Sequence, residues 1–394
     1  MAMAKAGLEN NIAKQLVLDG HKLLWHQDKV NAWLSGERIA PITIDCALTR
    51  RCTYRCRYCY GQLQLTPRRI GTAGVPLSAE NDEKAMTKDV IFEFLDDAAE
   101  IKVKAISFVS DGESTCSPYL YDAIARAREN GLDVALGTNG YLLDEGRLDE
   151  ILPRLTYIRF NISAADPQPY SQIMGCKEEC FTKVLRTIKE CVRFKKENNL
   201  SVTIGIQMVL MPQFSAQIIP FAKLGKDLGV DYAVIKHCSD DEQGSLGIDY
   251  ARYFSLIDTL KAAEGYSTPG YLVKVKWSKM LSKGTRRYRR CFGPPFMLQV
   301  SGSGLVAPCG MFFHEKYKKY HIGNIAETSF KKIWQSERYW EIMNLLASDA
   351  FDAQTMCGTL CLQEKVNEFL WELKNGEASL GIPSGEKPVH SNFV

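Results

Sequence analysis

The sequence lacks an excess of either charge, a long apolar run and a signal peptide. Its 49 basic and 46 acidic residues leave a formal net charge of +3, so nucleic acid is not an expected partner. No uninterrupted apolar stretch is long enough to cross a membrane, and residues 1–16 carry lysines and a glutamate where a signal peptide has its apolar core. We therefore expect a cytoplasmic protein with reduced thiols and no membrane partner.

Cysteine is present in an intermediate amount. Thirteen cysteines among 394 residues are too few for a disulfide scaffold. Three of them lie in one short segment, Cys52-Thr-Tyr-Arg-Cys56-Arg-Tyr-Cys59. Thiolate is the ligand that holds [4Fe-4S] clusters, and three ligands leave the fourth iron open to a small molecule. The alternative is a zinc or purely structural site, for which Cys46 is the only nearby fourth ligand.

Strand-like and helix-like segments alternate from residue 42 onward. This alternation implies parallel strands joined by right-handed crossovers. Six such units are too few for a closed eight-fold barrel, so we predict an α/β fold, an open (βα)6 TIM-like partial barrel with its reactive rim at the carboxyl ends of the strands. The predicted strands are residues 42–48, 105–110, 133–137, 156–163, 201–210 and 232–236, and the main helices are residues 87–100, 118–130, 177–198 and 215–228.

The C-x3-C-x2-C spacing, with Tyr58 just before the last cysteine and a strand just before the loop, resembles the radical S-adenosylmethionine (SAM) enzymes. The core fold of that family is a partial barrel of this kind. The resemblance implies that the open iron chelates SAM and that the reduced cluster cleaves it to a 5′-deoxyadenosyl radical. It also implies a flavodoxin or ferredoxin as the electron donor.

Further SAM contacts follow from the same resemblance. The run Ser110-Asp111-Gly112-Glu113 matches the family's GGE position, with Asp111 in place of the first glycine. Gly112 and Glu113 would hold the methionine amino group, because glycine permits close approach and a carboxylate suits an ammonium. The other assigned SAM contacts are Tyr58 and Leu210 at the adenine and Asn161 and Ser163 at the ribose.

A second set of cysteines lies in the C-terminal third. Cys291 and Cys309 give the spacing C-x12-G-x4-C around Gly304, and the residues between them fit a β-hairpin. This resembles the opening of the SPASM and Twitch extensions, which bind auxiliary [4Fe-4S] clusters. Cys357 and Cys361 bring the ligands to four, so we predict a Twitch-like domain with one fully cysteine-ligated cluster. An adventitious set of buried cysteines is the alternative.

These motifs divide the chain into five predicted parts. An N-terminal helical segment spans residues 1–40 and the partial barrel residues 41–245. A linking helix and basic strand follow at 246–285, then the Twitch- or SPASM-like domain at 286–375 and a tail at 376–394.

One segment departs from the balanced charge of the whole chain. Eight basic residues and no acidic one lie between Lys274 and Arg290. The segment could meet a phosphorylated or nucleotide-linked substrate, or it could be a solvated strand and linker.

Some of the remaining side chains are candidates for the substrate chamber. Cys46, Cys180 and Cys191 are expected in the core. Cys238 and Cys116 each lie just beyond a strand end, where a thiol could return a hydrogen atom to a substrate radical. Lys236 and His237 end the sixth strand and are predicted to reach the substrate.

The implied reaction is hydrogen abstraction from an unactivated carbon. An auxiliary cluster can accept the electron left on the substrate, so we predict the oxidation (dehydrogenation) of a small polar, sugar-like or nucleotide-sugar substrate. The alternatives are an epimerase with Cys238 as hydrogen donor and a maturase of ribosomal peptides. A non-enzymatic iron-sulfur electron carrier would explain the cysteines but not Gly112 and Glu113.

Overall fold

The structure is a computed structural model that describes residues 16–18, 22–63, 86–359, 361–383 and 385–394. Most of the stretch at 61–83 and much of the predicted N-terminal segment therefore lie outside the described residues. One sheet of ten strands organises the molecule, in the order β10-β9-β8-β1-β2-β3-β4-β5-β6-β7. The strands are β1 Thr43–Cys46, β2 Ala105–Phe108, β3 Asp133–Thr138, β4 Tyr157–Asn161, β5 Thr203–Leu210, β6 Tyr232–His237, β7 Leu272–Val275, β8 Met297–Val300, β9 Leu305–Ala307 and β10 Gly323–Asn324.

The predicted strands β1 to β6 are all present and pair in parallel in chain order. The sheet is wider than predicted, because β7 adds in parallel to β6 and β8 adds in parallel to β1. Eight parallel strands therefore form the barrel wall, and β7 and β8 end it without pairing to each other. The predicted hairpin is also present, since β8 runs antiparallel to β9. The fold is a TIM-like partial barrel whose sheet continues into the C-terminal extension.

Helices cover the outer face of the sheet. In Glu179–Glu197 the buried side chains include Cys180, Val184, Ile188 and Cys191, which recur at helical spacing on one face. The core roles expected for Cys46, Cys180 and Cys191 are confirmed by their burial. The α-helices are Gln27–Leu34, Tyr60–Leu63, Lys88–Glu100, Leu120–Glu129, Leu148–Ile151, Pro167–Met174, Glu179–Glu197, Ile218–Leu228, Ile257–Glu264, Trp277–Met280, Phe330–Gln335, Glu337–Leu346, Ala353–Met356 and Glu364–Lys374.

Alternation along the strands separates the core from the lumen. In β5, Ile204, Ile206 and Met208 pack in the main core on the helical side, while Gln207 lines the cavity inside the barrel. Side chains two apart in a strand share a face, so every second residue of the barrel strands points into the lumen. Polar and charged side chains of the barrel strands, such as Asp45, Arg159 and Gln207, therefore lie in the lumen.

The C-terminal tail closes the amino end of the barrel. The imidazole of His390 contacts the Thr203 hydroxyl at 2.6 Å, and the ring of Phe393 packs edge-on against Tyr157 with centroids 4.9 Å apart. The hydroxyl of Thr43 donates to the carbonyl of Asn392 at 2.6 Å. The three barrel residues stand at the starts of their strands, so the tail is a floor for the lumen.

Candidate active site

The three-cysteine loop is seated on the end of the helix Pro167–Met174. The amide of Arg55 donates to the carbonyl of Met174 at 3.1 Å, and the amide of Arg57 donates to that of Ile173 at 2.9 Å. Gly175 ends this helix at φ 61°, and a Cβ there would lie 2.2 Å from the carbonyl oxygen of Arg55. Glycine is needed both for the left-handed backbone and for the close approach. The helix end thus fixes the loop backbone.

The thiols of Cys52, Cys56 and Cys59 lie close enough to influence one another. Burial raises the pKa of Cys52, and the neighbouring charges of Glu113, Cys56 and Cys59 raise it further. The backbone amide of Tyr54 donates to Cys52 Sγ at 3.4 Å. This all-thiol donor set on one loop fits three ligands of an iron-sulfur cluster.

Cys46 does not complete a zinc site with this loop. Its side chain is fully buried in the main core, and its thiol donates to the carbonyl of Ala47 at 3.5 Å. Within the described ranges, no three or more His, Cys, Asp or Glu side chains are arranged to hold a single metal ion. Cys46, the only nearby fourth ligand that the sequence offered for a zinc site, is therefore not available to this loop.

Tyr58 joins the cysteine loop to the fourth strand. Its hydroxyl donates to Met174 Sδ at 3.2 Å and accepts from the Ser163 hydroxyl at 3.1 Å. The Ser163 oxygen in turn accepts from the amide of Val209 at 3.2 Å. The sequence assigned Ser163 to a ribose, and in the structure its hydroxyl positions Tyr58.

Two other assigned SAM residues occupy different surroundings. Asn161 Oδ1 accepts from Gln207 Nε2 at 2.8 Å on the lumen side. Leu210 packs in the core on the helical side, whereas Val209 packs in a small cluster with Tyr58. Val209 is thus the residue at this strand end that packs near Tyr58, and the adenine contact assigned to Leu210 stays a prediction.

The departure from the GGE pattern has a structural reason. The carboxylate of Asp111 accepts from the hydroxyl of Ser301 at 2.6 Å and from the amide of Gly302 at 2.9 Å. These residues belong to the turn between β8 and β9. Gly112 lies against the backbone of the cysteine loop, because a Cβ there would be 1.8 Å from the carbonyl oxygen of Thr49. Asp111 thus ties the barrel rim to the C-terminal hairpin.

Glu113 is the centre of a buried network. One of its oxygens accepts from the hydroxyls of Thr115 at 2.8 Å and Thr138 at 2.7 Å, and the other accepts from the amide of Asn139 at 2.7 Å. Asn139 reaches Thr53 Oγ1 at 3.0 Å, in the cysteine loop. Sequence reasoning missed Thr138 and Asn139, although a polar pair at the end of the third strand was a usable signal. The carboxylate oxygen that accepts only from Asn139 retains capacity for an ammonium.

The four C-terminal cysteines come together from three segments. Burial raises the pKa of Cys291, and the charges of Cys361, Cys357 and Cys309 raise it further. The pKa values of Cys309 and Cys357 are each raised to about 12, with burial as the main cause. The predicted set is therefore one cluster of thiols, and it fits four thiolate ligands.

Side chains surround this second set. The Tyr288 hydroxyl donates to Cys361 Sγ at 3.0 Å, and the Asn367 amide donates to Cys291 Sγ at 3.5 Å. The guanidinium of Arg286 donates to the carbonyls of Ala353 and Gly358, beside Cys357. These donors are of the kind that orient and tune metal-bound sulfur.

Family comparison agrees with both cysteine sets. The family model of the radical SAM superfamily matches residues 47–223, and that of the SPASM iron-sulfur cluster-binding domain matches residues 291–361, from the first to the last of the four cysteines. The chain is a radical SAM protein with a SPASM domain. These domains imply a SAM-binding [4Fe-4S] cluster and an auxiliary iron-sulfur cluster, as the sequence predicted.

Relatives are found at low identity over most of the chain. The chain is 24% identical over 309 residues to the tungsten-containing aldehyde ferredoxin oxidoreductase cofactor-modifying protein of Pyrococcus furiosus, covering 74% of this chain and 80% of that protein. It is 23% identical over 356 residues to the AdoMet-dependent heme synthase of Methanosarcina barkeri, covering 83% and 90%. Streptococcus suis SuiB bound to SAM superposes with a TM-score of 0.59 at 15% identity, covering 82% of this chain and 72% of that one. The last likeness shows a shared fold.

The radical SAM domain and the SPASM domain border one cavity. A cavity of about 230 Å³ in the barrel lumen is lined by Asp45, Arg159 and Lys236 from the strands and by Gln363 and Glu364, which follow Cys361. Lys236 therefore reaches the chamber, as predicted from the sequence.

His237, by contrast, faces two tyrosines. Its ring centroid lies 5.6 Å from that of Tyr250 and 5.8 Å from that of Tyr253, and its Nδ1 contacts the carbonyl of Cys238 at 2.8 Å. His237 is not among the residues that line the cavity, whereas Lys236 is, and the substrate contact of both stays a prediction.

Cys238 lies beside the radical SAM loop. Its side chain is fully buried and packs in one cluster with Tyr58, Val209 and Met211. Burial and the charge of Asp240 raise the pKa of its thiol to about 12. The thiol therefore keeps its hydrogen at physiological pH.

The basic segment divides into several environments. Lys276 and Lys279 line the cavity, and Lys279 Nζ donates to the carbonyl of Cys361 at 2.8 Å. Arg286 holds the backbone beside the SPASM cysteines. Others form ion pairs outside the cavity, among them Lys274–Glu264 at 3.7 Å and Arg289–Asp352 at 3.2 Å. Some residues of the segment therefore line the cavity and others form ion pairs outside it. Contact with a phosphorylated or nucleotide-linked substrate stays a prediction.

In the described parts of the chain, no helix is both long and apolar enough to span a bilayer.

Proposed function

We propose that this protein reductively cleaves SAM and takes a hydrogen atom from a small polar substrate in the lumen cavity, with net oxidation as the outcome. Bound SAM and the reduced cluster of the three-cysteine loop would supply a 5′-deoxyadenosyl radical. Cys52, Cys56 and Cys59 would hold that cluster, and Cys291, Cys309, Cys357 and Cys361 would hold the auxiliary one. A cytoplasmic flavodoxin or ferredoxin would supply the electron.

The observation that carries the proposal is the shared cavity. It is walled by strand residues that lie below the cysteine loop and by the residues that follow Cys361. The lining runs from His390 and Phe393 in the tail to Lys236 near the carboxyl end of β6, so a substrate held there would extend toward the rim, where the radical would form. Its volume of about 230 Å³ is below the range usual for drug-sized ligands, which favours a sugar-like substrate or the reacting part of a nucleotide sugar.

The chain's own residues would bind and orient SAM. The backbone carbonyls of the turn at Gly112 and the carboxylate of Glu113 suit the methionine amino group, because an ammonium donates hydrogen bonds and needs acceptors. Tyr58 is held in place by Ser163 and Met174, so its ring is fixed where the adenine is expected. Asn161 offers the ribose its amide.

Epimerisation is the second candidate, favoured by the position of Cys238. This thiol is protonated and packs against Tyr58, beside the predicted SAM site. A thiol in that place can return one hydrogen atom to the opposite face of a substrate radical. This donation would leave a thiyl radical on Cys238, so one electron from the external reductant and one proton would be needed to restore the thiol. The auxiliary cluster would accept no electron from the substrate.

One experiment tests the proposal and separates the two candidates. The protein is reconstituted anaerobically with iron and sulfide, reduced strongly in deuterated water, and given SAM with a panel of sugars, sugar phosphates and nucleotide sugars. 5′-Deoxyadenosine together with a product lacking two hydrogens supports oxidation. A product isomer carrying one deuterium supports epimerisation, and absence of 5′-deoxyadenosine contradicts the proposal.

The Cys238→Ala variant sharpens the result. An oxidation should continue in this variant, whereas an epimerase should form 5′-deoxyadenosine without completing its product. Cys191→Ala, which removes another buried thiol from the far side of the sheet, is the matched control and should behave as the wild type in either case.

A further inference from the structure

The walls of the lumen cavity carry an excess of positive charge. Two acidic side chains, Asp45 and Glu364, line it. Val394, the last residue of the printed sequence, also lines it and brings a terminal carboxylate. Six cationic side chains line it, three more than these anionic groups: Lys22, Arg159, Lys236, Lys276, Lys279 and Lys365.

Some of these cations are matched by partners in the protein. Lys365 Nζ lies 2.6 Å from a carboxylate oxygen of Glu368, and Lys279 Nζ lies 3.8 Å from one of Glu364. Lys22 Nζ donates to the carbonyl of Phe393 at 2.6 Å, in the tail that floors the lumen. These three contribute to the cavity wall and need no ligand.

Arg159 and Lys236 are different. In the described part of the chain, neither has a hydrogen bond or ion pair with another side chain or carbonyl, and the Nε of Arg159 is buried without a partner. The guanidinium carbon of Arg159 lies 5.9 Å from the centroid of the Tyr157 ring. Burial lowers the pKa of Lys236 well below its usual value, and the charges of Arg159, Lys279 and Lys276 lower it further.

Arg159 and Lys236 are both partly exposed. A partly desolvated cation without an ion-pair partner gains from binding an anion, and guanidinium stays protonated in proteins. Asp45 on the same cavity wall offsets only part of this charge, because burial raises its pKa to about 7, although the charges of Arg159 and Lys236 and a hydrogen bond from Ser107 oppose the rise. The guanidinium fork matches the geometry of carboxylate and phosphate oxygens. The positive charge of the cavity wall therefore favours the binding of an anion.

We propose that Arg159 and Lys236 form an anion subsite that binds a carboxylate or phosphoryl group of the substrate within the barrel lumen. This inference rests on the proposed function, because it assigns the same cavity to the substrate. The anionic group would lie among the strand residues, so the rest of the substrate would extend toward the rim, where Tyr58 and Cys238 lie. The substrate class is thus a small anionic molecule.

The test measures anion binding without SAM cleavage. Reconstituted holoprotein is titrated anaerobically, with no reductant, with inorganic phosphate in one arm and acetate in the other. Dissociation constants and thermal stability are recorded for the wild type and for Arg159→Gln. Arg287→Gln is the matched control, because Arg287 is exposed and does not line the cavity.

The expected result is that at least one anion binds the wild type and raises its unfolding temperature. Arg159→Gln should bind it about tenfold or more weakly, as expected for loss of a charged hydrogen-bond partner, while Arg287→Gln should match the wild type. Tighter phosphate binding identifies a phosphoryl group and tighter acetate binding a carboxylate. Without anion, Arg159→Gln should be at least as stable as the wild type, because a partly desolvated charge that has no ion pair is removed.

Binding that is equal in the wild type and Arg159→Gln, or absent from the wild type, overturns the subsite. Lys236→Met provides the same comparison if Arg159→Gln does not fold, and Arg159→Lys should recover part of the affinity. The binding test does not require SAM cleavage, so the subsite and the proposed function can fail separately. Arg159-dependent binding without 5′-deoxyadenosine in the reductive assay would preserve the subsite and reject the reaction, whereas the opposite pattern would reject the subsite alone.

Discussion

The two cysteine sites of this molecule are held by different parts of the protein. The loop that carries Cys52 is fixed by its backbone, through the carbonyls of Ile173 and Met174 and the close approach of Gly175. The SPASM site is surrounded by side chains, because Tyr288 and Asn367 donate to its sulfur atoms and Arg286 holds its backbone.

This difference matches what each site is proposed to do. A site that binds SAM needs space beside its thiols. A loop that is held only through its backbone, on the side that faces the helix end, leaves its thiols free for this. A site that only accepts an electron can be closed on all sides, and hydrogen bonds to its sulfurs then adjust its reduction potential. The cysteines of both sets are partly exposed. We therefore call the first site open because one iron of its cluster is expected to lack a cysteine ligand, and the second closed because four cysteines are expected to bind its cluster.

Removing one cysteine from each site should have the largest effect. Cys56→Ala should abolish 5′-deoxyadenosine formation and lower the iron content from about eight to about four per chain, because one [4Fe-4S] cluster is lost. Cys361→Ala should also lose about four irons but should still cleave SAM. Iron analysis and a 5′-deoxyadenosine assay measure both outcomes.

Cys180→Ala is the control for these substitutions, since this thiol is buried in the core outside both sets. It should retain about eight irons. If Cys361→Ala stopped SAM cleavage as completely as Cys56→Ala, the division between an open and a closed site would be wrong.

Gly175→Ala should disturb the contact between the helix end and the three-cysteine loop, and it should leave the closed site unchanged. A non-glycine residue at positive φ costs roughly 1–2 kcal/mol, and here the new Cβ would also overlap the carbonyl of Arg55. We expect a lower free energy of unfolding in denaturant titration and loss of iron from the three-cysteine loop.

Gly36→Ala is the matched control, because Gly36 also has a positive φ, of 83°, but nothing lies within 4 Å of a Cβ there. It should show only the backbone cost and keep its iron. Equal iron loss in both variants would mean that the contact with Arg55 does not position the loop.

Tyr288→Phe should make a smaller change, confined to the closed site. Its hydroxyl donates to Cys361 Sγ, and such a bond stabilises the more negative, reduced cluster. A hydrogen bond of about 1 kcal/mol corresponds to roughly 40 mV for one electron, so the auxiliary midpoint potential should fall by about that amount. A redox titration followed by electron paramagnetic resonance measures the shift.

Tyr339→Phe removes a buried hydroxyl that has no hydrogen-bond partner in the structure, and it should leave both potentials unchanged. An unchanged auxiliary potential in Tyr288→Phe would show that this hydroxyl does not tune the closed site.

Local patterns carried most of what the sequence predicted. The strands β1 to β6 and the two cysteine sets can be inferred from consecutive residues, because strand periodicity and ligand spacing are short-range properties. The division into five domains and the SAM-contact assignments stay predictions.

Contacts between distant segments could not be predicted in the same way. The bond between Asp111 and Ser301 joins residues 190 positions apart, and the contact of His390 with Thr203 spans 187. The unpaired charge of Arg159 becomes visible only when all the strands are in place, because its counter-charge could have come from any of them. The sequence therefore predicted the two sets of cluster-binding cysteines, but it did not predict the charge of the lumen cavity.

The most direct test of the account is an iron count and a 5′-deoxyadenosine assay on the anaerobically reconstituted wild-type protein. We predict about eight irons per chain, four at each cysteine site, and 5′-deoxyadenosine formed from SAM under strong reductant. About four irons, or no 5′-deoxyadenosine, would contradict a molecule with one open and one closed cluster site.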